Sequence, residues 1–189
     1  MYLFVTWRLA DAIPRSQLKA LVDHRKAWLE LHPKPWDART EAEYHARFSQ
    51  KVDAWLDAGS GTCVLRSPTA AQIVAGALHF FDGQRYLLDS YVVMPNHVHV
   101  IFSPRHEFTM AEILHSWKRH TARQINLLLR REGELWQERY WDRLLRDPLH
   151  HLMCRVYIRQ NPAKAKLRDG EYILWERPMP MEDAVPPSS

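Results

Sequence analysis

Two apolar runs, residues 86–94 and 97–103, meet across Pro95-Asn96. Strand-length runs joined by so short a turn predict a β-hairpin, which commits the chain to an antiparallel sheet. Alternate side chains on a strand share a face. In NHVHVIF (96–102), His97 and His99 therefore point one way, while Val98, Val100 and Phe102 point the other way into a core. YLFVTWRL (2–9), aromatic and β-branched, predicts another buried strand.

Helices are expected around this sheet. Residues 16–31 and 40–58 read as helical, separated by HPKPW at 32–36. Thr40 with Glu43 has the spacing of a capping box, and Tyr44, Phe48, Val52 and Trp55 recur at helical intervals. Trp28, Trp36 and Trp55 suit packing rather than binding. After a GSG turn at 59–61, TCVLR (62–66) suggests a short strand, and Ser67-Pro68 starts a helix striped by Val74, Ala77, Leu78 and Phe81. Thr109 and Glu112 form a second capping-box pattern, before a helix with Ile113, Leu114, Trp117, Thr121, Ile125 and Leu128 on its inner side. Asp147-Pro148 opens a last helix, expected to end near Asn161 because Pro162 follows, with Leu149, Leu152, Met153 and Val156 as its buried stripe. The proline- and serine-containing tail, 177–189, is expected to be disordered. The order predicts an α+β fold: an antiparallel sheet with helices on one face, in one domain over 1–176, with a helical hairpin inserted at about 11–58.

The 189 residues suit a single core. No apolar run approaches the roughly 20 residues needed to span a bilayer, and the N-terminus does not read as a signal peptide. Cys63 and Cys154 are too few for a disulfide framework, which points to the cytoplasm. The net charge of +4 is unevenly spread. Residues 101–170 hold fourteen basic and eight acidic side chains, against eleven and ten in residues 1–100. That excess suits a polyanionic partner, although a solvated helix face has the same composition.

His97 and His99 are spaced to share a divalent ion, but the pair alone lacks a full ligand set and reads more readily as two partly exposed histidines on an edge strand. Tyr157 and Asn161 lie one turn apart at the margin of the last helix's stripe, and His150 lies on the same line. Alone, they read equally as a boundary tyrosine and a helix-ending asparagine. Together the features suggest chemistry. A phenol attacking a phosphodiester needs stabilisation of the phosphate oxygens, and a covalent tyrosine link conserves the bond energy for rejoining. WQERYWDRLLRD (136–147) adds Trp136, Arg139, Arg143 and Arg146, and the preceding helix adds Lys118, Arg119 and Arg123. Aromatics that stack on unpaired bases beside arginines that track phosphates suit single-stranded DNA. No Walker loop or GxSxG elbow is present.

YVVMPNHVHVIF (91–102), ILHSWKRHTARQIN (113–126), LWQERYWDRLLRD (135–147) and YIRQNPAKAKL (157–167) resemble the REP-associated tyrosine transposases. These belong to the single-tyrosine HUH transposases of bacterial insertion sequences, and the likeness runs from about residue 2 to 168. The resemblance implies a ferredoxin-like fold and Mg²⁺ or Mn²⁺ on His97 and His99, with Asn161 at a position that can complete the metal site. It implies attack by Tyr157 to give a 5′-phosphotyrosine and a free 3′-hydroxyl, on single-stranded DNA bearing hairpins. Monomer and homodimer both stay open. Lys166 stands where the family commonly has glycine. The competing readings are a transposase-derived protein that binds single-stranded or hairpin nucleic acid without cutting it, and a hydrolase that uses water.

Overall fold

The computed structural model describes residues 1–178. The chain runs β1 (Leu3–Arg8), α1 (Arg15–Leu31), α2 (Ala38–Tyr44), α3 (Gln50–Asp57), α4 (Pro68–Phe80), β2 (Tyr86–Val93), β3 (His97–Pro104), α5 (Met110–Leu128), β4 (Trp141–Leu144), α6 (Pro148–Lys164) and β5 (Ile173–Glu176). The five strands form one antiparallel sheet in the order β4-β1-β3-β2-β5, with the expected β2–β3 hairpin at its heart. The edge strands β4 and β5 were not expected. Each is four residues long, too short to display a clear alternation.

The helices lie on both faces of the sheet, not on one. Val98, Val100 and Phe102 pack with Val74, Leu78, Ile113, Leu114 and Trp117 of α4 and α5. The opposite face, carrying Val92, Met94 and Ile101, packs on Cys154 and Ile158 of α6. Central strand β3 is buried on both sides from His97 through Phe102. A second helical layer is therefore required over the histidine face, and α6 supplies it.

Local differences have local causes. The helix after residue 36 starts at Ala38 with Asp37 as its cap, whose carboxylate accepts from Thr40 N at 2.7 Å, so Thr40 is inside the helix rather than capping it. A π-helical turn at His45–Ser49 joins α2 to α3. Its wider turn rotates the stripe so that Leu56, not Trp55, follows Val52 into the core. TCVLR forms a 3₁₀ turn at Val64–Arg66 instead of a strand. Thr109 and Glu112 do form a capping box. Leu128 is exposed at the frayed end of α5, while the rest of its predicted inner side is buried.

The helix α6 departs most from expectation. Leu149, Leu152 and Met153 are exposed, and the buried side chains are Cys154, Arg155, Ile158, Asn161 and Pro162. A β-bulge at Asp89 explains how a charged stripe is tolerated. It presents a buried carboxylate to which Arg155 Nη1 donates at 3.0 Å, while Arg155 Nη2 donates to Arg177 O at 2.8 Å. The charge pair removes the penalty that a hydropathy reading assigns to arginine in a core. Moreover, α6 runs through Pro162 to Lys164. The proline falls in the last turn, where it sacrifices one hydrogen bond. The helix then ends in a Schellman turn, with Leu167 N bonded to Pro162 O (2.9 Å) and Lys166 N to Ala163 O (3.1 Å). Lys166 takes the left-handed conformation, φ 55°, at the position where glycine is easiest.

Arg177, the first residue of the expected tail, is anchored: its N donates to Asp89 O at 2.7 Å and its Nε to Leu88 O at 2.7 Å. The expectation of disorder for 179–189 lies outside the described residues.

Candidate active site

The turn before β3 starts the site. Asn96 is buried, and its Nδ2 donates to Leu56 O (3.2 Å) and Ser60 O (3.1 Å), which fixes the orientation of the amide. Its Oδ1 can then only accept, so His97 Nδ1 donates to it at 2.7 Å. His97 Nε2 is left with a lone pair. It lies 3.1 Å from His99 Nε2. His99 Nδ1 shares a 2.6 Å hydrogen bond with Thr6 Oγ1 on the neighbouring strand β1. With no cation between the rings, the proton sits on His99 Nε2 and the threonine hydroxyl donates. With a cation there, His99 Nδ1 carries the proton and the same hydroxyl turns to accept. Thr6 and Asn96 thus stand behind the two imidazoles as orienting partners.

Asn161 approaches from α6. It is fully buried, its Nδ2 is 3.4 Å from His99 Nε2, and its Oδ1 has no partner. A half-turn of the amide brings that oxygen to the imidazoles. The donor set then consists of two imidazole nitrogens and one amide oxygen. Burial, reinforced by Arg8, pushes His97 down to about 3, and burial, the neighbouring His97 and Lys164 hold His99 well below the ordinary range. Both rings are neutral at physiological pH, the form in which imidazole ligates metal. These residues fit a divalent cation, although among the described residues no cluster of three or more His, Cys, Asp or Glu side chains is suited to one.

Tyr157 lies one turn before Asn161. Its ring meets His99 edge-on at a centroid distance of 5.3 Å, and Phe4 of β1 at 5.8 Å. Lys164 Nζ stands over the ring, 4.9 Å from its centroid. The hydroxyl lies near Asp53 of α3 and near Asn161, and both groups perturb it. Burial and the nearby Asp53 charge push the phenol far up, so it stays protonated. Burial in turn raises the Asp53 carboxyl from 3.8 to about 6.

The structure thus brings His97, His99, Tyr157 and Asn161 together. Asp53, Thr6, Asn96 and Arg8 join them unforeseen. For Thr6 and Arg8 a signal existed: the period of two puts Phe4, Thr6 and Arg8 on one face of β1, an odd place for two polar residues in a buried strand. Asp53 had no such signal, because it comes from a helix remote in sequence.

The expected DNA-contacting residues divide. Arg119, Arg123 and Arg139 are exposed, and Arg119 lines an open groove of about 430 Å³ between α5 and residues 133–140. Trp136 belongs to the core instead. It is 6% exposed, packs edge-on against Trp7, and donates from Nε1 to Thr121 Oγ1 at 2.9 Å. Lys118 Nζ donates to Gln137 O (2.7 Å) and Glu138 O (2.8 Å), tying that segment to α5. Arg143 reaches His45 Nδ1 at 2.8 Å and Arg146 pairs with Glu41 at 3.3 Å, so both bridge to the α2 region.

Residues 69–161, an interval that contains His97, His99, Tyr157 and Asn161, match the family model described as "Transposase IS200 like". Two solved structures are similar at a distance. One is described as a REP-associated tyrosine transposase bound to a REP hairpin: 19% identity, 86% of this chain and 67% of that chain covered, TM-score 0.46. The other is described as a transposase from Deinococcus radiodurans: 14% identity, 85% and 90% covered, TM-score 0.35. At those values neither carries residue roles across. No curated protein sequence matches. No helix among the described residues is long and apolar enough to cross a membrane.

Proposed function

We propose that this chain, whose residues 69–161 match the IS200-like transposases, cuts and rejoins single-stranded DNA with Tyr157 as nucleophile. The observation that carries the reading is the convergence of Tyr157, Asn161, His97 and His99 on one sheet face from two elements distant in sequence. His97, His99 and Asn161 would hold Mg²⁺ or Mn²⁺. When bound, the ion would polarise the non-bridging oxygens of the scissile phosphate.

The remaining roles fall to the chain itself. Asn96 and Thr6 fix the imidazole tautomers. Phe4 and Lys164 both pack against the Tyr157 ring and orient it. Asp53 is the proton acceptor facing the phenol, and a carboxyl at about 6 is ionised yet basic enough to serve near neutral pH. Oη bonds to phosphorus as its proton passes to Asp53, and the bond from phosphorus to the 3′-oxygen breaks, that oxygen taking up a proton from water. The product is a 5′-phosphotyrosine and a free 3′-hydroxyl, which can attack in reverse. Residues 1–176 act as one catalytic unit in this reading. The substrate class is single-stranded DNA with hairpins of the REP type, with Arg119, Arg123 and Arg139 on the exposed basic surface.

The complete burial of His97, His99 and Asn161 favours one other reading, a protein that grips such DNA without cutting it. Incubation with a hairpin-bearing single strand and Mn²⁺, followed by a denaturing gel, separates the two. Covalent cleavage predicts a protein–DNA adduct that disappears in Tyr157→Phe and in His97→Ala. Binding without any adduct supports the grip alone.

A further inference from the structure

The site face of β1 ends in an arginine for which the described residues supply no hydrogen bond to one guanidinium nitrogen. Arg8 is 1% exposed, and its Nη1 is buried without a hydrogen-bond partner. Among the described residues no carboxylate pairs with it. Its guanidinium lies against the Trp141 ring, 4.3 Å from the centroid. The backbone is pinned on both sides, Leu9 N to Asn96 O (2.8 Å) and Gln137 N to Arg8 O (2.9 Å), so the residue cannot swing out with its strand. A cation–π contact is weaker than the cost of taking a guanidinium out of water, so an anion is missing.

Its position says which anion. Arg8 is the register partner of His97, on the face shared with Thr6 and Phe4. Tyr157 touches Phe4 and His99, at the other end of that row. Four residues of strand, about 13 Å, separate Phe4 from Arg8, with Thr6 and its register partner His99 between them and His97 level with Arg8. An in-line displacement at phosphorus puts the nucleophile and the leaving oxygen on opposite sides. With Tyr157 on one side of the histidines, the other side belongs to the departing 3′-oxygen and its strand.

We propose that Arg8 binds a backbone phosphate of the DNA strand that leaves with the free 3′-hydroxyl, holding it for the reverse attack. This rests on the transposase reading above, but the anion site stands on its own observations. A planar fork of donors suits phosphate oxygens. The Trp141 indole, on edge strand β4, is only half-buried, and this binding requires it to move aside as the strand enters.

The test has two arms. In the first, thermal unfolding of wild type and Arg8→Met is followed with and without millimolar inorganic phosphate. The midpoint of Arg8→Met is expected to equal or exceed that of wild type, because an unpaired buried charge has gone, and only wild type should gain from phosphate. A lower midpoint for Arg8→Met with an equal phosphate gain would make Arg8 a structural residue and overturn the proposal. In the second arm, a hairpin-bearing single strand is used with the phosphate next to the cleavage point, on the 3′-hydroxyl side, replaced by a neutral methylphosphonate. Arg8→Met and the neutral phosphate should each slow rejoining about 10- to 100-fold, and together no more than either alone. Additive losses would overturn the assignment to that phosphate. If wild type forms no adduct on any strand, the transposase reading fails, and the phosphate arm still decides the anion site.

Discussion

Replacing Asp53 by Asn should stabilise the protein, and by an amount that grows with pH. Asp53 is half-buried on α3 against the Tyr157 hydroxyl, and burial raises its carboxyl from 3.8 to about 6. A carboxyl raised in the folded state binds more protons folded than unfolded between those values. Folding stability therefore falls as pH rises through that window, and the loss is complete above about 6. The raised carboxyl is worth about 3 kcal/mol at pH 8 and roughly half of that at pH 5. Asn keeps the shape and cannot ionise. The gap in urea-unfolding free energy between Asp53→Asn and wild type should thus widen by roughly 1 to 2 kcal/mol from pH 5 to pH 8, with the variant the more stable. A gap that stays constant with pH, or a variant that is less stable at pH 8, would refute the assignment of a buried, costly carboxylate. The same variant should form the covalent adduct more slowly, since stabilisation comes at the expense of the proton acceptor.

Lys166→Gly should raise stability by about 0.5–1 kcal/mol in urea unfolding, because a left-handed residue with a Cβ closes α6. Trp136→Ala should cost about 3–5 kcal/mol of folding free energy as a core truncation. Affinity for single-stranded DNA, measured on the folded fraction, should stay close to wild type, whereas a stacking role would cost affinity without stability. Asp89→Asn should lose about 3–5 kcal/mol in the same unfolding assay, since it strands Arg155 inside the core and loosens the helix that carries Tyr157. In contrast, Arg119→Ala with Arg123→Ala should leave stability within about 0.5 kcal/mol of wild type. The pair should also flatten the salt dependence of DNA binding.

The β2–β3 hairpin, the helix at 110–128 and the shared face of His97 and His99 were legible because each is set by local periodicity. Tyr157 and Asn161 were legible as neighbours on one helix. What periodicity could not supply was the face that α6 turns inward. Leu149, Leu152 and Met153 are apolar and exposed, while Arg155 and Asn161 are buried beside Ile158. That choice is made by Asp89, a bulge residue 66 positions from Arg155, and by the polar row on β3. Trp136 was misjudged for a related reason. Whether an indole in a basic segment stacks on DNA or fills a core depends on its partner, here Trp7 and Thr121, which local composition does not reveal.

The central claim is that Tyr157 forms the covalent link. Wild-type protein trapped on a hairpin-bearing single strand with Mn²⁺ can be digested to peptides and the nucleotide-bearing peptide sequenced by mass spectrometry. A 5′-nucleotide on Tyr157, lost in Tyr157→Phe together with all strand cutting, is the expected result. Strand cutting that survives Tyr157→Phe, or a nucleotide attached to another side chain, would contradict it.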